Sequence, residues 1–546
     1  MRRRTTIGSY LVKRLEEAGL KQIFGVPGDY VLGFYDLLVE SPIEVIGTCT
    51  EGGAGFAADA YARVHGLGAI CITYCVGGFN ALNAVAGAYA EKSPLIVISG
   101  SPGLAERAKS PLLHHQVRGF NTQHLIFDQV CVASAALEDP LLAPQQIDET
   151  IAACIKRKRP VYLEIPRDMV HAECQAPKPF SIPREKSDRG SLKEALGEAT
   201  QLLRKSKRPV ILAGVEIHRF NLQESLLKLA KKSGFPVAAT LLGKSVISEN
   251  HPDYIGVYEG AMGKESVQKT VEGADCVLIL GAFMTDINLG INTAQLDLSK
   301  TINATSETIS IKRHHYDHIV LRDFIEGLAK ADLGSKKKRR LPSMPELKPY
   351  RAISGKPMTI RRFFQRINQF LQEDSVVVCD IGDSLFGAID LRIHKRTEFL
   401  SPAYYTSMGF AIPAALGVQV GSKRLRPLVF VGDGAFQMTF QELSTIARHG
   451  LNPIVFVLNN QGYTTERFIN EGPYNDIKNW AYHELPSLLQ EGWAREVHTE
   501  DDLEEALEQV KKQKVYSLIN VHLEKMDHSE ALARLGRRLS KSVGRR

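Results

Sequence analysis

Short apolar, β-branched runs recur along the chain between longer stretches whose apolar positions repeat at helical spacing. "KQIFGVP", "IEVIGTCTE", "GAICITYC" and "PLIVISG" read as buried strands, with "GGAGFAADAYARVHG" as an intervening helix. Ahead of them, Ile7, Leu11, Leu15 and Leu20 fall on one side of an amphipathic helix. Strands that are apolar throughout and alternate with helices predict a parallel sheet covered on both faces. This first block closes with "RPVYLEIPRDM". The polar, proline-containing segment 175–190 then reads as a linker. A second block carries the strands "RPVILAGVEI", "FPVAAT", "DCVLILGAF" and "TISIKR". After another linker, 334–350, a third holds "DSVVVCDIGD", "RPLVFVGDG", "NPIVFVLNN" and "KVYSLINVHL". The expected fold class is α/β, with three consecutive doubly wound parallel-sheet domains over 1–180, 190–335 and 350–546.

Composition narrows the classes of function. A chain of 546 residues is too long for one core, and 44% apolar with 24% charged residues is ordinary for a globular protein. The net charge of +7 comes largely from runs at Arg2–Arg4, Lys336–Arg340 and the C-terminal tail. Such runs, without interleaved aromatics, are solvated termini and linkers, so no nucleic-acid partner is expected. The eight cysteines include no CxxC pair, which argues against a zinc ribbon or redox dithiol and fits free thiols in a reducing compartment. The start lacks an apolar signal core, and no apolar run approaches the roughly 20 residues that span a bilayer. A cytoplasmic protein with no membrane partner is expected.

The chemistry concentrates in "PLVFVGDGAFQMTFQELSTIARHGLNPIVFVLNNQGY", residues 427–463. A strand runs into Gly432-Asp433-Gly434; one helix follows, with Phe440, Leu443 and Ala447 on a face and Gly450 as its stop; a second strand ends at Asn459-Asn460-Gln461-Gly462. In a βαβ unit the strands are parallel, so Asp433 and Asn460 reach the same sheet edge. Paired strands lie about 4.8 Å apart and Mg²⁺ takes oxygen ligands at about 2.1 Å, so one ion bridges such ends. One carboxylate, one amide and the Gly462 carbonyl, if it turns inward, leave an octahedron incomplete. Phosphate oxygens and water would complete it. A second feature is the adjacent pair His114-His115 in "SPLLHHQVRGF". A regular element would aim only one of them at a given point; an irregular loop lets both serve one site. Read locally, Pro27-Gly28-Asp29 is equally a turn, Glu466 a surface helix residue, and Glu51 a carboxylate in the first turn of a helix.

GDG followed twenty-four residues later by NN resembles the thiamine diphosphate signature. From "FGVPGD" onward the chain resembles the pyruvate and indolepyruvate decarboxylase family. That resemblance implies the thiamine diphosphate-binding fold, with pyrimidine-binding, middle and diphosphate-binding domains. It assigns Mg²⁺ to Asp433, Asn460 and the Gly462 carbonyl. The cofactor falls to Glu51, Thr73, Ser384, Met408, Gly432, Asp433, Gly434, Ala435, Asn460 and Gly462, with Met408 bending it into a V. Glu51, expected at a strand end, favours the imino tautomer of the pyrimidine. Asp29, His114, His115 and Glu466 handle protons. The implied reaction is non-oxidative decarboxylation of a 2-oxo acid to an aldehyde and CO₂ through a thiamine ylide and an enamine. Glu51 of one subunit meets the diphosphate site of another, so a homodimer or homotetramer is implied.

Several stretches, among them "AYAEKSPLIVISGSPG", "EIPRDMV" and "PAYYTSMGF", are similar to phenylpyruvate decarboxylases. Thr465 stands where pyruvate-specific relatives carry a larger aliphatic residue, which implies room for aromatic or long aliphatic 2-oxo acids. Ile469 and Asp286 are further pocket candidates. Asp383 departs from the family's hydroxyl residue near the diphosphate; a carboxylate there must turn away or be protonated. Glu216 and Ile217 fall near a regulatory cysteine of yeast-type enzymes, and no thiol is close in sequence. The alternatives are a pyruvate-preferring decarboxylase, a thiamine-dependent synthase or oxidase, or an inactive cofactor-binding homologue.

Overall fold

The computed structural model describes residues 4–109, 112–334, 347, 349–373, 375–393 and 399–535. The Lys336–Arg340 run, most of the second linker, Ser110 and the C-terminal tail lie outside them. Three large sheets follow one another along the chain, beside a small antiparallel pair of Arg4–Thr6 with Glu173–Gln175. The first runs Glu44–Gly47, Gln22–Gly25, Gly68–Ile72, Leu95–Ser101, Val161–Pro166, Ala133–Ala136 in space, all parallel. The third runs Phe399–Leu400, Ser375–Cys379, Arg426–Gly432, Ile454–Asn459, Ser517–His522, Trp493–Val497, again all parallel. The fold is α/β with helix-flanked parallel sheets, as the apolar strand runs imply. The middle sheet adds a feature the pattern does not carry. Beyond its five parallel strands, Ile309–Ile311 and His314–Tyr316 form an antiparallel edge. The connections here are tight turns, too short for the crossover that parallel pairing requires.

The first and third domains share one apolar core. The helix Glu51–His65 lies against Ala411–Gly421, with Phe56, Ala57, Phe410, Ala411 and Ala415 buried between the two sheets. Small residues let the backbones approach: a Cβ on Gly417 would stand 1.9 Å from the Ala57 carbonyl oxygen. The middle domain has its own core around Ile211, Leu278 and Phe324. It is tied to the first domain by a buried ion pair, Lys92 with Glu216, which Ser306 also bonds. The N-terminal helix spans Ile7–Glu17, with Ile7, Leu11 and Leu15 buried and Thr6 as its cap; Leu20 is buried just beyond it. Among the described residues, no helix is long and apolar enough to cross a membrane.

Two local expectations need correction. Glu51 does not end a strand; the strand stops at Gly47 and Glu51 opens the helix. Thr50 accounts for this, because its side chain accepts from the Gly53 N–H at 3.0 Å and caps the helix one residue earlier. The helix after GDG is two helices, Asp433–Thr439 and Glu442–Arg448. Between them Leu443 N bonds Phe440 O and Ser444 N bonds Gln441 O, the tighter i to i+3 pattern. Thr439 and Glu442 are pulled to outside partners, the Gly409 carbonyl and the backbone N–H groups of Cys49 and Thr50.

Candidate active site

A cleft of about 660 Å³, counting its open mouth, lies at the carboxyl edge of the third sheet. The strands ending at Gly432 and Asn459 pair directly, with Gly432 opposite Leu458, so the GDG and NN turns are neighbours. Asp433 is fully buried. Its carboxylate accepts from the N–H groups of Gly434 at 2.8 Å and Gly462 at 3.2 Å, and burial pushes its pKa up to about 6. Asn460 lines the same cleft. Gly462 sits at φ +139°, where an added Cβ would meet the Asn475 carbonyl oxygen at 2.0 Å, so only glycine fits. The buried Arg467 guanidinium fixes the turn by donating to the carbonyls of Asn460 (3.3 Å) and Gln461 (2.8 Å) and to Asp476 (2.7 Å).

The donor chemistry fits a hard cation carrying an anion. Asp433 offers a buried carboxylate bonded to backbone N–H groups, beside an amide and a carbonyl at the cleft wall. Met408 also lines the cleft, together with Gly432, Gly434, Ala435 and Ser384. The Ser384 hydroxyl donates within its own turn, to the carbonyls of Asp380 (3.0 Å) and Ile381 (2.9 Å). Asp383 has turned to Ser529: it accepts from the Ser529 N–H at 2.7 Å and from its hydroxyl, and burial pushes its pKa up to about 6. Thr465 and Glu466, on the helix Thr464–Ile469, complete the wall. Ile469 and Asp286 do not line it. Asp286 is exposed because the loop around it packs through Ile287 and Ile291 against the third domain's core instead.

The histidine loop forms a second cluster, in the first domain. His114 Nε2 lies 2.9 Å from Asp29 Oδ2, and Nδ1 lies 3.1 Å from the Tyr30 hydroxyl. Tyr30 stacks on His114 at 4.5 Å, and the two histidine rings meet edge to face at 4.8 Å. His115 has φ +66°, which breaks any regular element and turns both imidazoles to one place. One ligand atom from each of Asp29, His114 and His115 falls within 4.8 Å of the others. Arg167 approaches Asp29 at 3.4 Å. In the same domain, Thr73 carries a buried hydroxyl with no hydrogen-bond partner, and Glu51 accepts from the Asn80 amide at 2.6 Å. None of these residues lines the third-domain cleft. Of the four proton-handling candidates, three gather here, and Glu466 stands on the cleft wall.

Sequence reasoning missed several supports. Asp380, fully buried with its pKa pushed up to about 6 by burial, accepts from the N–H groups of Ile381 (2.9 Å), Gly409 (3.2 Å) and Ala411 (2.9 Å). It thereby holds the segment carrying Met408. Asp527, a cleft-lining carboxylate, accepts from Ile360 N–H at 2.6 Å. Asp380 had a visible signal: it ends an apolar strand in "CDIGD" just as Asp433 does in "GDG".

Comparison with known proteins decides the family. Residues 5–129 match the family described as thiamine pyrophosphate enzyme, N-terminal TPP binding domain; 196–330 match its central domain and 373–521 its C-terminal TPP binding domain. Pyruvate decarboxylase 4 of Arabidopsis thaliana is 34% identical over 99% of this chain and 92% of its own length. Indole-3-pyruvate decarboxylase of Azospirillum brasilense is 36% identical over 91% of each. The chain belongs to the thiamine diphosphate-dependent 2-oxo acid decarboxylases. It is a carbon–carbon lyase that removes CO₂ from a 2-oxo acid. In this decarboxylase the C-terminal match contains the whole GDG–NN unit and Glu466, whereas the N-terminal match contains Asp29, Glu51, Thr73 and the histidine pair.

Proposed function

We propose that this decarboxylase acts on bulky 2-oxo acids, aromatic or long or branched aliphatic, in a site closed by a second copy of the chain. The observation that carries the substrate reading is Thr465 in the cleft wall: a short side chain beside the apolar Ile381, Leu458 and Leu523. A relative named for indole-3-pyruvate supports it. Asp433, Asn460 and the Gly462 carbonyl would hold Mg²⁺, and the GDG–NN edge the diphosphate. When bound, thiamine diphosphate supplies the electron sink for the pair released with CO₂. Asp383 also lines the cleft, and its carboxylate oxygens are engaged by the Ser529 N–H and hydroxyl, which would temper its repulsion of a phosphate.

The chain's own groups hold and move protons. Glu51, whose carboxylate accepts from the Asn80 amide, would face the pyrimidine ring and favour its imino tautomer. The Asp29 carboxylate at Nε2 favours the tautomer of His114 that carries its proton there, with the Tyr30 hydroxyl close to both Nδ1 and the His114 carbonyl. His115, whose buried Nδ1 has no hydrogen-bond partner, is the member of the pair left to exchange a proton with the reacting oxygen. Glu466 faces it from the cleft side once a second copy brings the two regions together. A twofold homodimer makes two such sites, and a tetramer four. Eight free thiols suit a cytoplasmic setting.

The test is aldehyde release from phenylpyruvate, 2-oxo-octanoate and pyruvate, with and without thiamine diphosphate and Mg²⁺. Cofactor-dependent aldehyde with the highest kcat/KM for a bulky acid is expected. A clear preference for pyruvate would overturn the substrate reading and leave the chemistry standing.

A further inference from the structure

Three imidazoles and a carboxylate converge at the far edge of the third sheet, on residues that do not line the cleft. Glu496 lies on the edge strand Trp493–Val497, opposite Asn520 of Ser517–His522. His522 is the last residue of that neighbouring strand, and His498 follows the edge strand by one residue. In each strand the histidine stands two residues beyond the Glu496–Asn520 pair and so shares its face. Glu496 Oε1 lies 2.9 Å from His522 Nε2 and 3.2 Å from His483 Nδ1, the latter brought in by the turn Tyr482–Glu484. The rings of His498 and His522 stack at 4.0 Å, 11° from parallel. One ligand atom each from Glu496, His498 and His522 falls within 4.8 Å of the other two.

This arrangement is poorly explained by hydrogen bonding alone. His522 Nε2 faces both an acceptor, Glu496, and the Asn520 amide at 3.1 Å, and one ring nitrogen serves only one of them. The side-chain Nδ1 of His483 is buried and makes no well-directed hydrogen bond. Two stacked imidazolium ions would repel each other, whereas two neutral rings and a carboxylate offer lone pairs to one cation.

We propose that Glu496, His498 and His522, with His483 as fourth donor, bind one divalent cation of the borderline, Zn²⁺ class. Three nitrogens and one carboxylate oxygen suit that class, in contrast to the all-oxygen set at Asp433 and Asn460. Zn²⁺ takes such ligands at about 2.0–2.2 Å, so the Glu496, His498 and His522 donors, now within 4.8 Å of one another, need to close further, and the exposed His498 has the freedom to turn its ring out of the stack. The ion would cross-link two strand ends and the turn at His483. Its position is structural, since none of its ligands reaches the cleft.

The experiment uses the full chain, saturated with thiamine diphosphate and Mg²⁺. Zn²⁺ is titrated in competition with a chromogenic chelator, and Co²⁺ is followed by its visible absorption as a probe of tetrahedral N/O coordination. About one equivalent per chain should bind in the presence of excess Mg²⁺, and His498→Gln and His522→Gln should each weaken it at least about tenfold. The exposed His498 keeps the test alive if the His522 variant misfolds. No saturable binding, or affinity unchanged in both variants, would overturn the proposal. So would binding that survives in them and disappears in His114→Gln, because the ion would then sit at the first-domain cluster.

Discussion

Asp433 and Asp29 serve regions with opposite physics. Asp433 is sealed at a strand end, bonded to backbone N–H groups, with its pKa pushed up to about 6 by loss of water. Asp29 is exposed, between His114 at 2.9 Å and Arg167 at 3.4 Å. A buried carboxylate of the first kind costs the fold stability until a cation arrives. An exposed pair of the second kind adds little stability and stays open to solvent and substrate. The cleft therefore has the means to hold charge, and the histidine loop has the means to move protons. Among the described residues, the histidine loop does not line the cleft. On the function proposed above, each is half of a site that a second copy completes.

The largest effects belong to Glu51, in the domain of the histidine loop, and to Asp433 in the cleft. Glu51→Gln should lower turnover about 10²–10⁴-fold with cofactor still bound. Asp433→Asn should weaken Mg²⁺-dependent cofactor binding by about 100-fold or more, read by calorimetry. Next come the proton carriers on either side. His115→Ala and Glu466→Gln should each cut aldehyde release about 100-fold at saturating cofactor; full activity in both would remove them from the mechanism. A smaller effect belongs to the cleft wall. Thr465→Ile should shift the kcat/KM ratio toward pyruvate by roughly tenfold, the worth of about 1–3 kcal/mol.

The smallest effect sharpens the electrostatic side. Because the folded protein raises the pKa of Asp433 above its ordinary 3.8, to about 6, the group favours the folded state when protonated. That contribution is full below about pH 4 and is lost as pH rises through about 6. Without Mg²⁺, Asp433→Asn should thus gain on the parent protein by about 2–4 °C in melting temperature between pH 5 and pH 7.5. Asp380 and Asp383, raised similarly by burial, are present in both proteins and cancel. An identical gap at the two pH values would mean that Asp433 does not ionise against its surroundings.

What the sequence made legible follows from period and polarity. Apolar strand runs alternating with helices carry the parallel order, and a βαβ unit forces Asp433 and Asn460 to one edge whatever else surrounds them. What it hid depends on partners far along the chain. Glu51 starts a helix because Thr50 caps it, a choice between two local bonds. The helix after GDG breaks where Thr439 and Glu442 find partners at Gly409 and at Cys49 and Thr50. Asp380 and Asp527 act by accepting from backbone N–H groups, which no residue spacing announces. Asp286 looked like a pocket residue, but hydrophobic packing of Ile287 and Ile291 decides where its loop lies.

On the proposed assembly, one working site takes Glu51 from one copy and Asp433 from another. The direct measurement is to co-express Glu51→Gln and Asp433→Asn chains in equal amount and assay the mixed assemblies for aldehyde release. Random pairing leaves one intact site in half of the dimers, so about a quarter of the parent activity should return although each variant alone is nearly inactive. Mixed assemblies as inactive as the separate variants would place both residues in the same chain's site and contradict the account.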